Sequence, residues 1–258
     1  MAKLTVTSLQ QMKRDGRKIM AAVCYDYQLS RILDRAGVDL ISAGDSVGYT
    51  NLGQLTRYGT TMDEMVIVAR AVARGAEHAV VNADLPFGPV QEGYKEALRA
   101  AIRLIQEGEA EMVKLDNAAA NMDAVRAITN AGIPLWPQFG FSPQSSMAIG
   151  EFTARTEDMV ERRRDQILRE AQELEAAGAS CLDLTGVTPE IYAEVAATIK
   201  IPVLGGQATS VADGRIFTAF TLRAAGIDRD AGPMNIGRFV RRGDVDAPRR
   251  TGLSVLAG

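Results

Sequence analysis

"RILDRAGVDLISAGDS" (residues 31–46) is the stretch that decides the fold. A helical segment closes on Ala36 and Gly37, and a short apolar strand follows at once and runs into Gly44-Asp45-Ser46. The same grammar returns in "ARAVARGAEHAVVNADLP" (69–86), "AAIRLIQEGEAEMVKLDN" (100–117), "AITNAGIPLWPQFG" (127–140) and "QELEAAGASCLDLTGV" (172–187). The glycines Gly37, Gly75, Gly108, Gly132 and Gly178 are expected in the left-handed conformation just past a helix C-terminus. The strands are apolar on both faces, as parallel strands covered by helices must be. Two more strands fit, "KIMAAVCYD" (18–26) and "IPVLGGQA" (201–208), while "GRIFTAF" (214–220) reads as an eighth strand or as the start of a helix. Seven or eight βα units of this length predict an α/β fold, a closed (β/α)8 TIM barrel. An open doubly wound sheet would carry a glycine-rich turn after its first strand, and "CYDYQLS" (24–30) has none. Residues 1–258 are read as one barrel domain, with 241–258 a mobile or oligomer-facing tail.

Composition narrows the function. Of 258 residues, 47% are hydrophobic and 24% charged, which is ordinary for a chain with a large core. A formal net charge of −3 gives no electrostatic reason to expect nucleic acid or an anionic membrane as partner. The N-terminal region has no signal-type apolar core, and no segment is long and apolar enough to span a membrane. Cys24 and Cys181 sit in apolar surroundings, as reduced buried thiols of a cytoplasmic protein do. His78 is the only histidine, so a zinc site of Cys and His is not expected. It precedes a strand, at the end of the barrel away from the chemistry, and reads as structural.

In a (β/α)8 barrel the active site lies at the C-terminal strand ends. There the sequence places Asp45 and Ser46, Asp84, Lys114 and Asp116, Gln138, Asp183 and Thr185, and Gln207 after the seventh strand. Three aspartates end three successive strands. Adjacent strands lie about 4.8 Å apart, so their carboxylates can converge, and converging carboxylates need a cation or a proton between them. A hard divalent ion with oxygen ligands, Mg²⁺ foremost, is therefore expected at Asp45, Asp84 and Asp116. Lys114 inside a strand would bind an anionic group of the substrate. Asp26 and Asp63 are expected to cap helices.

At these residues the chain resembles the ketopantoate hydroxymethyltransferase (3-methyl-2-oxobutanoate hydroxymethyltransferase) family, within the phosphoenolpyruvate mutase and isocitrate lyase superfamily. The resemblance runs from about residue 4 to about 215, through "YDYQLSRILDRAGVDLISAGDSVG" (25–48), "TMDEMVIVARAVARGA" (61–76), "ADLPFG" (83–88), "MVKLD" (112–116), "GFSPQS" (140–145) and "ADG" (212–214). It implies a magnesium-dependent barrel that transfers a one-carbon unit from 5,10-methylenetetrahydrofolate to 3-methyl-2-oxobutanoate, a 2-oxo acid, in pantothenate biosynthesis. It also implies a homo-oligomer, dimer-based or decameric. Asp45 and Asp84 match the metal ligands, Ser46 a residue holding the oxo acid's carboxylate, and Lys114 a substrate-contacting lysine.

The chain departs from the family at three site positions. Asp116 stands where the family has glutamate, and the shorter carboxylate is expected to act through a water. Gln138 stands where it has histidine. Thr185 stands where it has the glutamate that serves as general base, and a hydroxyl is a far weaker base than a carboxylate. Asp183 is expected on the face opposite Thr185 and so out of reach as a substitute. "GGQATSVADG" (205–214) lacks the family's Gly-Ile-Gly-Ala-Gly run. Neither cysteine lies in the Lys-Lys-Cys-Gly setting of the superfamily's lyases. The expected function is Mg²⁺-dependent C–C bond chemistry on a 2-oxo acid through an enolate. The alternatives are a divergent 2-oxo acid or aldol lyase or hydrolase, and a non-catalytic barrel that binds an oxo acid.

Overall fold

The computed structural model describes residues 2–145, 157–206 and 211–218. Gln207 and the tail 241–258 lie outside them. The described strands are β1 (Ile19–Cys24), β2 (Leu40–Ala43), β3 (Val80–Asp84), β4 (Met112–Leu115), β5 (Leu135–Gly140), β6 (Leu182–Thr185), β7 (Val203–Leu204) and β8 (Gly214–Thr218). All pair in parallel, in the order β7-β6-β5-β4-β3-β2-β1-β8. The Asp213 and Ile216 amides donate to the carbonyls of Val203 and Gly205, which draws β8 onto β7 and closes the circle. The chain is a (β/α)8 TIM barrel, and "GRIFT" is its eighth strand rather than a helix.

Helices alternate with the strands: α1 (Val6–Arg14), α2 (Tyr27–Arg35), α3 (Val47–Asn51), α4 (Met62–Gly75), α5 (Tyr94–Gln106), α6 (Met122–Asn130), α7 (Glu157–Arg162), α8 (Arg164–Ala176) and α9 (Pro189–Thr198). Helix α4 shows why. Thr61 and Glu64 exchange backbone and side-chain hydrogen bonds in a capping box, and Met65, Val66, Val68, Ala69 and Val72 recur at the helical period. That face is buried, and full burial of a valine or methionine side chain is worth roughly 1.5–3 kcal/mol. Asp26 caps α2 by accepting from the Leu29 amide at 2.8 Å. Asp63 does not cap α4, because Thr61 already occupies that position; Asp63 pairs with Arg103 at 2.9 Å instead.

Gly37, Gly132 and Gly178 have the expected positive φ, at 87°, 79° and 92°. Gly75 and Gly108 do not, and answer to packing: a Cβ on Gly75 would lie 2.6 Å from Ser30 Cβ, and one on Gly108 would lie 2.6 Å from the Leu104 carbonyl. At the base of the barrel His78 Nδ1 is 2.8 Å from Asp34 Oδ2, and the Asp34 carboxylate also accepts from the amides of His78 and Ala79. Burial alone would raise the Asp34 pKa, but these hydrogen bonds outweigh it and lower it. There too, α1 buries Leu9 and Met12, and Lys13 Nζ reaches Asp213 Oδ2 (2.7 Å) and the Ala196 carbonyl (2.9 Å). Cys24 and Cys181 are free thiols and buried. No helix of the described residues is long and apolar enough to cross a membrane.

Candidate active site

The C-terminal strand ends open on a cavity of about 170 Å³. Asp45, Ser46 and Asp84 line it from β2 and β3, Lys114 and Asp116 from β4, Gln138 from β5, and Asp183 and Thr185 from β6. Every site residue expected from the sequence within the described residues thus meets in one place.

Asp84 closes β3 pointing inward, and Ser42 Oγ (2.9 Å) and Asn82 Nδ2 (3.0 Å) donate to its Oδ1. The Asp45 backbone amide also donates to the Asp84 carboxylate, which fixes the two aspartates side by side. Asp45 Oδ2 accepts from Gln144 Nε2 at 2.9 Å. Burial and the charge of Asp84 push Asp45 up to about 7, and burial raises Asp84 as well. Asp116 is pushed up to about 6 by burial. Its Oδ1 accepts from the Asn117 amide (2.5 Å), its Oδ2 from the Gln144 amide (2.8 Å), and the Ser142 hydroxyl bonds it too. Among the described residues, no three Asp, Glu, His or Cys side chains are placed to hold one ion. Asp116 is tied back to its own loop by the amides of Asn117 and Gln144, so it would reach an ion beside Asp45 and Asp84 only through water.

The donor set still suits a hard cation. Gln144 Oε1 is a buried acceptor with no hydrogen-bond partner among the described residues, beside two carboxylates whose pKa values burial raises. A hydrated divalent ion on Asp45 and Asp84 would answer both, and magnesium's habit of using one or two carboxylates and several waters fits.

Lys114 is buried, not snorkelling from an edge. Its Nζ lies 2.5 Å from Asp183 Oδ2 and 5.0 Å from the Trp136 ring centroid. Burial opposes its charge, but Asp183, Asp84 and Asp116 outweigh that and raise its pKa. The expectation that Asp183 faces away from Thr185 is wrong. Residues two apart on a strand share a face, and Thr185 Oγ1 stands 3.4 Å from Asp183 Oδ1 while accepting from Gln138 Nε2 at 2.9 Å. Ser46 Oγ is 2.8 Å from the Tyr25 hydroxyl, whose pKa burial raises.

Sequence reasoning missed Tyr25, Ser42, Asn82 and Gln144. Asn82 and Ser42 carried a signal, being polar residues at inward positions of apolar strands. Tyr25 stood at a strand end. Gln144 belongs to a loop whose path no periodicity reveals.

A closed parallel barrel that gathers two desolvated aspartates and a buried lysine at its C-terminal mouth has the layout of a (β/α)8 enzyme. The chain belongs to the ketopantoate hydroxymethyltransferase family, whose profile matches residues 3–234. It is 37% identical over 242 residues to the 3-methyl-2-oxobutanoate hydroxymethyltransferase of Salinibacter ruber, covering 94% of this chain and 88% of that one. It is 35% identical over 240 residues to the enzyme of the same name from Flavobacterium johnsoniae, covering 93% and 85%. The fold is similar to phosphonopyruvate hydrolase solved with oxalate and Mg²⁺ (TM-score 0.63, 14% identity, 86% and 83% covered). It is also similar to 2,3-dimethylmalate lyase of the PEP mutase/isocitrate lyase superfamily (TM-score 0.62, 16% identity, 92% and 95% covered). Membership in a family of transferases makes the chain an enzyme and sets aside the non-catalytic barrel.

Proposed function

We propose that the chain performs divalent-cation-dependent C–C bond chemistry on a 2-oxo acid, in the manner of hydroxymethyl transfer from 5,10-methylenetetrahydrofolate to 3-methyl-2-oxobutanoate. The observation that carries this reading is the placement of Asp45 and Asp84 side by side at the strand ends, next to the buried Lys114. Asp45 and Asp84, with Asp116 through water, would hold a divalent ion, which would supply Lewis-acid activation of a bound 2-oxo acid.

The chain's own groups do the rest. Lys114 places a fixed ammonium where negative charge grows on the keto oxygen. Ser46, oriented by Tyr25, donates to the substrate carboxylate. Gln138 donates to Thr185, which leaves the Thr185 hydroxyl proton to point at Asp183. The proton from the carbon beside the carbonyl therefore passes through the Thr185 hydroxyl to the Asp183 carboxylate, the one acid on that face of β6.

The test is exchange of the C3 proton of 3-methyl-2-oxobutanoate in heavy water, followed by NMR with Mg²⁺ present. Exchange that needs the metal supports the reading, and no exchange at any pH removes it. A second reading, cleavage of a 2-oxo or aldol acid, is favoured by Thr185 itself, because cleavage takes its proton from a hydroxyl rather than from carbon. Folate-independent release of two products would establish that alternative. The setting we propose is a cytoplasmic homo-oligomer acting on small molecules, and the two free buried thiols suit a reducing compartment.

A further inference from the structure

Arg57 is the cation at the cavity that the chemistry above does not use. It lies in the loop between α3 and α4, lines the cavity with Tyr49 and is half-buried. Among the described residues it has no ion pair and no hydrogen bond. The other cation of the lining, Lys114, is already paired with Asp183.

The loop holds Arg57 in place from both sides. The Gln54 amide donates to the Gly48 carbonyl at 2.9 Å, and Gln54 Nε2 donates to Glu64 Oε1 at 3.1 Å. Thr60 Oγ1 donates to the carbonyl of Asp45 itself at 2.7 Å. Tyr58 meets Phe87 edge-on at 5.0 Å, which fastens this loop to the one that follows Asp84. The charge of Arg57 acts on the Tyr49 phenol, and Tyr49 hydrogen-bonds Ser46. A guanidinium drawn partly out of water needs an anion, and its planar fork suits a carboxylate.

We propose that Arg57 is a subsite for a second carboxylate, so that the enzyme takes a 2-oxo dicarboxylic acid with its oxo end at Asp45, Asp84 and Lys114 and its distal carboxylate on Arg57. This rests on the 2-oxo acid reading above and departs from its model substrate, since 3-methyl-2-oxobutanoate carries a single carboxylate and would leave Arg57 unfilled. The same carboxylate chemistry could arrive on the glutamate tail of a folate, so the test has an arm for each source.

The experiment is calorimetric titration of the Mg²⁺-loaded full chain and its Arg57→Met and Arg57→Lys variants. The probes are 2-oxoglutarate and 2-oxopentanoate, which has the same five-carbon chain ending in a methyl group. The native protein is expected to prefer 2-oxoglutarate by about tenfold or more, as one charge-assisted pair allows. In Arg57→Met the ratio falls to within about twofold of one, and Arg57→Lys retains part of it. A native ratio near one, or a ratio that Arg57→Met leaves alone, overturns the proposal while the 2-oxo acid reading stands. Absence of binding by both acids in the native protein removes both. In the second arm, folic acid is compared with pteroic acid, which lacks the glutamate. If Arg57→Met abolishes that preference and not the one between the acids, the carboxylate belongs to the folate and the dicarboxylate assignment is wrong.

Discussion

Lys114 and Asp183 form a buried ion pair across β5, with Nζ 2.5 Å from Oδ2 and both side chains nearly closed off from water. The pair is the hinge of the site, because Lys114 faces Asp84 and Asp116 while the other oxygen of Asp183 faces Thr185.

Removing one partner of such a pair leaves an uncompensated charge in a low-dielectric setting. Asp183→Leu is expected to destabilise the fold by about 3 kcal/mol, at the low end for buried pairs because Asp84 and Asp116 remain nearby. Urea unfolding measures it, and a loss under about 1 kcal/mol would mean that Lys114 is wet or mobile.

Asp84→Ala should remove Mg²⁺ binding altogether. Ser42→Ala, which deletes one of the hydrogen bonds orienting Asp84, should weaken it by about tenfold, in the range that outer partners of metal ligands command. Calorimetry with Mg²⁺ alone decides; an unaltered affinity in Asp84→Ala defeats the metal assignment.

Thr185→Glu returns a carboxylate to the end of β6. C3 proton exchange of 3-methyl-2-oxobutanoate should rise by about 10²-fold or more, within the usual contribution of a positioned base. Thr185→Val, which cuts the path to Asp183, should slow exchange. A rate the same in both variants as in the native chain would show that the proton leaves elsewhere.

Asp45 and Asp116 have folded-state pKa values of about 7 and about 6, above the ordinary carboxylate value of 3.8. A raised pKa stabilises the fold fully at low pH, and that stability is lost as pH rises through the folded-state value. Metal-free protein should therefore melt at a lower temperature at pH 8 than at pH 5, as far as these groups are concerned. Mg²⁺ needs the ionised form, so it should raise the melting temperature more at pH 8 than at pH 5. Melting curves with chelator and with Mg²⁺ at both values check it, and an equal increment at the two pH values contradicts the shifts.

The barrel and much of its mouth were legible in the sequence because both follow from strand periodicity. Asp84 and Lys114 stand at the end of or within apolar runs, where a charge must have a use, and the structure brings both into the cavity. Asp183 was misread through a slip in that periodicity: two residues along a strand return to the same face. Asp63 was misread because Thr61 and Glu64 compete for the same helix start and win. Gln144 and Arg57 were invisible for another reason. Each sits in a loop whose course is set by tertiary contacts, such as Tyr58 on Phe87, and no local pattern encodes those.

Lys13 and Asp213 lie 200 residues apart in the chain, yet they clasp where the two-residue strand β7 meets β8. During synthesis, then, the first helix is made long before its anchor. Until residue 213 leaves the ribosome the nascent sheet keeps open edges, which can pair with other chains. Ring closure is thus a late, long-range event, and a chain truncated before β8 should aggregate rather than accumulate as a soluble fragment.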